Sequence, residues 1–489
     1  MKKYFTLIAI ILLLNTACKK DFLELSDPTR ISTEVLFNDA NGLNLAVNAS
    51  YASLQEMYGK GAAGVGIYLF SEVPSDNSSA LVSGAGLGDI ELFITAPENP
   101  NLQTMWTNLY RSVARCNTII ARAPAITMDA ALKNRYIAEA KFIRALTYFN
   151  MVRIWGGVPL VTTEISSVNE SLGFGRESES NIYKQIEQDL KDAETVLPLT
   201  YVNADLGRAT QGAAKAILGK VYLTEKKYTE CKAKLGELLP RATNPSGYDL
   251  LPNYADIFTT TNELNKEIIF AVRYSKSGLG TGSPFFNWFL PDATGTNIAK
   301  VGGAQGFNTV RQDLYDAFPV TPVLDPRRDI SIGRFGTTTI SSYTKKYTDA
   351  PLNGFDADND WIVIRYADVM LMYAEAENEL NGPANAQSYV NDVRRRAFGT
   401  ANNLTPAQTS SSDNMRLAIE NERRLELNME GHRWFDLVRT GRAVTVMNAH
   451  FIKYQIRNGA AVVQITNRNT LFPIPLREIQ INPKLTQNP

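Results

Sequence analysis

Residues 130–160 read AALKNRYIAEAKFIRALTYFNMVRIWGGVPL. Up to Ala140 the stretch mixes charged and apolar residues, as a helix with one wet side does. From Phe142 to Trp155 it is apolar nearly all round, which predicts a helix buried among other helices. Gly156-Gly157-Val158-Pro159 ends it, because glycine supplies the C-terminal turn and proline cannot continue a helix. Such a helix needs helical neighbours, and the chain provides them. Leu102–Ala123 places Trp106, Leu109, Tyr110, Val113 and Ile120 at three-to-four spacing. Ser180–Leu197 is amphipathic through Ile182, Ile186, Leu190 and Ala193, and Pro198 follows directly. Thr210–Leu239 reads as two antiparallel helices broken near Glu225-Lys226-Lys227.

Helix pairs of this size suggest a repeat array. Leu218-Gly219-x-x-Tyr222 matches the L-G-x-x-Y core of a tetratricopeptide repeat, with Cys231 and Leu235 in the following small and apolar slots. Residues 372–394 match more loosely, through Ala374, Ala386 and Val390. Gly219 and Tyr222 also fit a simpler role as residues that pack two helices. A first helix is expected from Thr33-Glu34 through Tyr58. Helix resumes at Arg365–Leu380, Ala386–Phe398 and Met415–Arg442, and the last 40 residues are extended and proline-punctuated. Between these, residues 59–100 and 241–360 are rich in Gly, Ser, Thr, Asn and Pro and lose helical period, with short runs such as Glu267–Val272 reading as strands. The expected fold is mainly α, a tetratricopeptide-like helical scaffold with long irregular insertions and a few short strands.

Lys2-Lys3, the apolar run Phe5–Leu14, and Thr16-Ala17 before Cys18 have the order of a secretory signal ending at a lipidated cysteine. Acyl chains on Cys18 would tether the chain to a membrane at about 0.8 kcal/mol per buried CH₂. The expected organisation is a signal at 1–17, a tether at 18–30, and halves 31–240 and 241–489 forming one body. The 489 residues carry 50 Lys+Arg against 50 Asp+Glu, which excludes a broad basic footprint for nucleic acid. Three cysteines without CxxC spacing and two histidines without HExxH leave no expected zinc site and no cofactor. Cys116 and Cys231 sit in apolar helical patterns and read as core thiols.

Gly59-Lys-Gly61-Ala-Ala-Gly64 matches G-x-G-x-x-G but follows a helix and opens none, so it is not a dinucleotide fingerprint. Asp356-Ala-Asp358-Asn-Asp360 resembles the start of a calcium loop, yet Trp361 and Ala367 stand where an EF-hand needs Gly and Glu. A solvated acidic loop is the plainer reading and a looser calcium site the alternative. His432 and His450 have no recognisable partners for a serine triad. Glu422, Glu426 and Glu430 recur every four residues along a predicted helix face. Arg423, Arg424, Arg433 and Arg439 interleave with them, and a carboxylate beside Arg has its pKa lowered, the wrong direction for a general acid. Arg135–Glu139 has the spacing of a helical ion pair, and Arg144 needs a carboxylate across a helix interface. Arg144, Glu139, Glu422, Arg423, Glu426, Arg433 and Asp436 are therefore expected in structural ion pairs.

The irregular segments supply the candidate ligand residues. Phe286-Asn287-Trp288-Phe289 lies in a Gly/Ser/Thr-rich loop, and Tyr68, Asp76, Asn77 and Phe93 lie in the earlier one. An aromatic face stacks on the C–H face of a sugar while nearby amides and carboxylates bond its hydroxyls.

Motifs along the whole chain resemble one family. They are Cys18 with Asp21-Phe22-Leu23; Ser75-Asp76; Trp106-x-x-Leu109-Tyr110 with Arg115-x-Asn117; Ala138-Glu139-Ala140-x-Phe142-x-Arg144-Ala145-x-x-Tyr148 through Gly157-Val158-Pro159-Leu160; Asp325-Pro326-Arg327-Arg328; Arg365-Tyr366-Ala367-Asp368 with Ala374-Glu375-Ala376; Glu422-Arg423-Arg424-x-Glu426; Arg433-x-x-Asp436-Leu437-x-Arg439; Pro473-Ile474-Pro475; and Asn482-Pro483 through Pro489. In this order they resemble the SusD/RagB nutrient-binding lipoproteins of bacterial outer membranes. The resemblance implies a non-catalytic oligosaccharide-binding protein, anchored through Cys18 and facing the exterior. It also implies a SusC-like TonB-dependent β-barrel transporter as partner. A peptide-binding relative and a surface glycosidase are the alternatives.

Overall fold

A computed structural model describes residues 36–60, 64–80, 86–239, 241, 243–321, 323–399 and 402–489. The signal, Cys18 and the tether lie outside these residues. The scaffold is built from helices α1 (Ala40–Gln55), α2 (Tyr68–Ser71), α3 (Pro100–Arg122), α4 (Ala130–Trp155), α5 (Glu179–Val196), α6 (Gln211–Thr224) and α7 (Tyr228–Gly236). After a strand-and-loop region containing α8 (Phe285–Phe289) and α9 (Pro326–Ser331), it continues with α10 (Tyr366–Asn381), α11 (Pro383–Phe398), α12 (Ser412–Glu426), α13 (Arg433–Arg439) and α14 (Ala443–Tyr454). Each long helix packs on the next: α1 on α3, α3 on α4, α4 on α5, α5 on α6, α6 on α7, α7 on α10, α10 on α11 and α12. This is the stacking expected of tetratricopeptide-like repeats.

Local chemistry explains the helix ends. Asp129 caps α4 by accepting from Leu132 N (2.8 Å), and Gly156 ends it at φ +69°. From Phe142 to Val152 every α4 side chain is buried. The far end of α4 is strapped by the C-terminal tail: Trp155 Nε1 donates to Pro473 O (3.1 Å), and Asn488 Nδ2 donates to Trp155 O (3.1 Å) and Phe472 O (2.6 Å). In the α6–α7 pair a Cβ on Gly219 would lie 2.2 Å from Leu235 Cδ2, so glycine is what lets the two helices close.

Two small sheets serve the insertions. Strands β1 (Ser78–Ser79), β3 (Thr309–Val310), β5 (Ser341–Thr344) and β4 (Ile332–Phe335) form an antiparallel sheet in the order β1-β3-β5-β4. Strand β2 (Ile268–Val272) pairs antiparallel with β6 (Trp361–Arg365), both fully buried, and β6 runs straight into α10. One continuous apolar core runs from Leu43 to Leu485.

Several expectations change. Helix α1 starts at Ala40, where Asp39 caps it by accepting from Gly42 N (2.8 Å); the start expected at Thr33 lies outside the described residues. Residues 64–80, within the stretch expected to be irregular, are buried throughout, packed against distant residues such as Phe289, Asn308 and Met429. The aromatic run at 285–289 is a short helix, not a loop. The helix expected over Met415–Arg442 ends at Glu426: Met429 (φ +61°) and Gly431 (φ +80°) turn the chain into α13. The extended tail contains a short helix, Leu476–Ile481.

Candidate ligand face and the buried charge network

The densest polar feature is a buried lattice of arginines and carboxylates behind α12. Arg365, at the β6–α10 junction, donates to Glu267 (2.9 Å), Glu426 (2.6 Å) and both oxygens of Glu430 (2.8 and 2.9 Å). Arg327, just after the Asp325 cap of α9, donates to Asp325, Glu422 (2.6 Å) and Glu426 (2.8 Å). Arg396 of α11 reaches Glu267 and Glu426, and Lys346 reaches Glu430 (2.6 Å). A second group joins it: Arg423 bonds Asp368 (2.8 Å) and Asp436 (2.9 Å), and Lys220 bonds Asp368 (2.9 Å). Burial alone would raise the Glu426 carboxyl, but Arg396, Arg365 and Arg327 outweigh it and hold it well below the usual carboxylate range. Asp368 is held low in the same way by Lys220 and Arg423, as is Asp436 by Arg423 and Arg439. Glu430 lies beyond the helix end, so it enters the lattice through the Met429 turn, not from a helix face.

The lattice gathers Glu422, Arg423, Glu426 and Asp436. It also takes in Arg433, which pairs with Asp76 of the N-terminal half (2.8 and 2.9 Å). Arg144 and Glu139 sit apart. Arg144 donates to Asp189 of α5 (2.7 and 2.8 Å) and to Asn117 of α3 (2.7 Å), tying three helices. Glu139 meets Arg208 (2.8 Å) and Arg135 (3.2 Å). Both described cysteines are buried and free, and burial pushes the Cys116 thiol up to about 12. His450 has a partner not visible in the sequence, Asp313 (2.7 Å). His432 Nδ1 lies 2.9 Å from Lys220 Nζ, and burial with that ammonium pushes the imidazole down to about 3.

The candidate ligand residues lie inward. Tyr68, Phe285, Phe289, Tyr347 and Trp361 form an aromatic box, with Phe289 4.9 Å from Tyr68 and 5.3 Å from Tyr347 between ring centroids. Trp288 packs on Tyr68 and Phe307, and Phe286 packs on Leu290 and Ala299. Asn287 is fully buried and donates to Val301 O and Gly303 O (2.7 Å each). Asp76 is bound by Arg424 and Arg433, and Asn77 bridges Arg424 and Glu72 (2.8 and 3.1 Å). Phe93 is half-buried against Trp434 and Phe451. The rings of Tyr68, Phe286, Trp288 and Phe289 are buried and pin the long loops onto the body.

The Asp-x-Asp-x-Asp run has a structural explanation. Asp360, Asp358 and Asp356 accept from the backbone N–H of Tyr274 (2.9 Å), Lys276 (2.7 Å) and Gly278 (2.8 Å) in turn, so alternate carboxylates clip one loop to another. Among the described residues no group of three His, Cys, Asp or Glu is placed to hold a metal ion. The cavity lined by Glu263, Asn359, Asp360 and Lys346 has about 20 Å³, room for about one water and not for a sugar. Among the described residues no helix is long and apolar enough to cross a membrane. Phe355, which no sequence pattern marks, is the most exposed aromatic side chain described.

Two family models match this chain: the SusD family over residues 330–489, and a family described as starch-binding, associating with the outer membrane, over residues 21–223. SusD-like protein P25 of Formosa agariphila is 29% identical over the whole of this chain and 98% of its own length. Among solved structures, a laminarin-binding SusD-like protein is 29% identical with a TM-score of 0.75, covering 92% of this chain and 99% of that one. A SusD superfamily protein from Bacteroides vulgatus, 24% identical, shares the fold at a TM-score of 0.77 over 92% of this chain and 99% of its own. The chain belongs to the SusD/RagB family.

Proposed function

We propose that this chain is a glycan-binding outer-membrane lipoprotein that works without catalysis. It is anchored by acyl chains on Cys18 at the cell exterior and passes captured oligosaccharide to a SusC-like TonB-dependent β-barrel. The observation that carries the reading is the near-full-length likeness, at 29% identity, to a structure named for laminarin binding. The charge network supports the non-catalytic part. A glycosidase needs a carboxylic acid kept protonated near neutrality, and within the Glu422–Glu426–Glu430 series Glu426 and Glu430 are held low by the cations around them, so that series does not supply one. Capture for onward transfer also favours modest contacts over a deep, tight site, because a ligand held too firmly is released slowly.

The test is a panel of polysaccharides including laminarin and starch. Binding is measured by affinity electrophoresis and calorimetry, and products are followed by chromatography. Saturable binding with no shortened products is expected. Accumulating products would replace the reading with an enzyme, and absence of binding to every polymer would remove the glycan.

A further inference from the structure

We propose that Phe355 is the platform on which the glycan stacks, held in place by Asn287 and the aspartate ladder; this deepens the glycan-binding reading and rests on it. Three observations carry the assignment. The first is exposure: Phe355 is 40% exposed, and on the same two loops Leu279 and Leu352 are 85% and 60% exposed, whereas the rings of the 285–289 helix are buried. Ser277 and Asn353 are exposed on the same two loops and offer a hydroxyl and an amide to sugar hydroxyls.

The second is backbone conformation. Phe355 sits at φ +71°, which is costly for a bulky residue. In the same loops the chain uses glycine at Gly278, Gly280, Gly302 and Gly303, all at positive φ. Within these loops 355 keeps a ring where glycine would be unstrained; Phe93 (φ +57°) does so elsewhere, but there the ring packs on Trp434 and Phe451. Strain retained against an available remedy marks a functional position.

The third is support. Asn287 Oδ1 accepts from Phe355 N (3.4 Å), while its Nδ2 donates to the 301–303 backbone. A Cβ on Gly302 would lie 2.5 Å from Gly354 Cα, so only glycine allows this backbone contact. Ser283 and Ala357 exchange backbone hydrogen bonds (2.8 and 3.0 Å), and Asp356 clips Gly278. Three loops are thereby locked around one outward ring, a pre-organised face that loses little freedom when a sugar lands. The Asp356 and Asp358 carboxylates are taken up by the backbone N–H groups of Gly278 and Lys276 and so stiffen these loops.

The test uses the full chain in detergent, with laminarin and starch as probes and three variants. Phe355→Ala should weaken binding at least tenfold, and Phe355→Trp should retain or improve it. Phe355→Gly should lose binding like the alanine variant, yet keep or raise Tm by about 1–2 °C because the strain is relieved. Binding lost with Tm preserved cannot come from unfolding. Wild-type binding that persists in both Phe355→Ala and Phe355→Gly would overturn the platform and leave the glycan reading standing. Unchanged glycan affinity with loss of a co-purifying membrane protein would make the patch a protein contact and also overturn it. Failure of the wild type to bind any probe would bring down the glycan reading and the platform together.

Discussion

Strand β6 begins in one interior and ends in another. At its start Trp361 stacks on Tyr347 at 5.5 Å, inside the aromatic box that anchors the insertions. Four residues later Arg365 grips three glutamates in the charge lattice that joins the helices. Both ends are equally buried, yet they tolerate different changes. The aromatic box depends on volume and apolar surface, which neighbouring residues can partly refill. The lattice depends on charges meeting at fixed distances, and removing one partner strands the others in a dry site. The scaffold is thus specified by pairing and the insertions by filling.

Isosteric substitution separates the two. Arg365→Ala should cost about 4–5 kcal/mol, the largest effect expected, because Glu267, Glu426 and Glu430 each lose a buried counter-ion. Arg365→Met, which restores most of the volume, should cost nearly as much. In the box, Phe289→Ala should cost about 3–4 kcal/mol through the cavity it leaves, but Phe289→Leu at most about 1.5 kcal/mol. Denaturant unfolding of all four variants checks both halves. If Arg365→Met proved as mild as Phe289→Leu, the lattice would behave as ordinary core and the contrast would collapse.

The same contrast governs what was legible beforehand. Pairing leaves marks in sequence. The i,i+4 spacing of Arg135 and Glu139, the lone Arg144 on an apolar helix, and the glutamates interleaved with arginines all imply partners, and the carboxylates lie at 2.6–3.2 Å. Capping and close packing are also local, which is why α4 and the Gly219 contact were readable. Filling leaves few marks. The Gly- and Ser-rich run 64–80 carries the composition of a surface loop, and only its threading between distant segments buries it. The Phe285–Phe289 run was visible as aromatic, but whether its rings face in or out is decided by partners elsewhere in the chain, from Tyr68 to Tyr347 and Trp361. The Asp356–Asp358–Asp360 run has the alternation of a cation loop, and it serves an equally good acceptor role toward backbone N–H groups. Met429 hid the end of α12 because positive φ at a non-glycine residue has no local signature.

Glu72 stands between the two interiors and gives the smallest effect. It directly follows α2, whose Tyr68 is in the aromatic box, and its carboxylate accepts from Met429 N (3.1 Å) and Gly431 N (3.0 Å), the turn that delivers Glu430 to the lattice. Burial pushes its carboxyl up to about 7, against the pull of those N–H groups, Asn77 and Lys346. An acid raised on folding binds a proton in the folded state that the unfolded chain releases. Its contribution is therefore full below the ordinary value of 4.5 and is lost as pH climbs through 7, amounting to roughly 1–3 kcal/mol. Asp360, raised to about 8 mainly by burial, acts in the same direction. The lattice carboxylates have the opposite sign: Glu426 and Asp368 are held low, so their contribution is present above the usual carboxylate range and lost as pH falls below it. Stability should accordingly peak near pH 5, limited on the acid side by the lattice and on the neutral side by Glu72, Asp360 and Glu263, whose carboxyl burial also pushes up to about 7. Glu72→Gln, which cannot ionise, should flatten the decline between pH 5 and 7.5 and leave the acid branch unchanged. Parallel Tm curves for wild type and variant across that window would show that Glu72 is ionised throughout, and the neutral limb would then belong to the other raised carboxyls, Asp360 and Glu263.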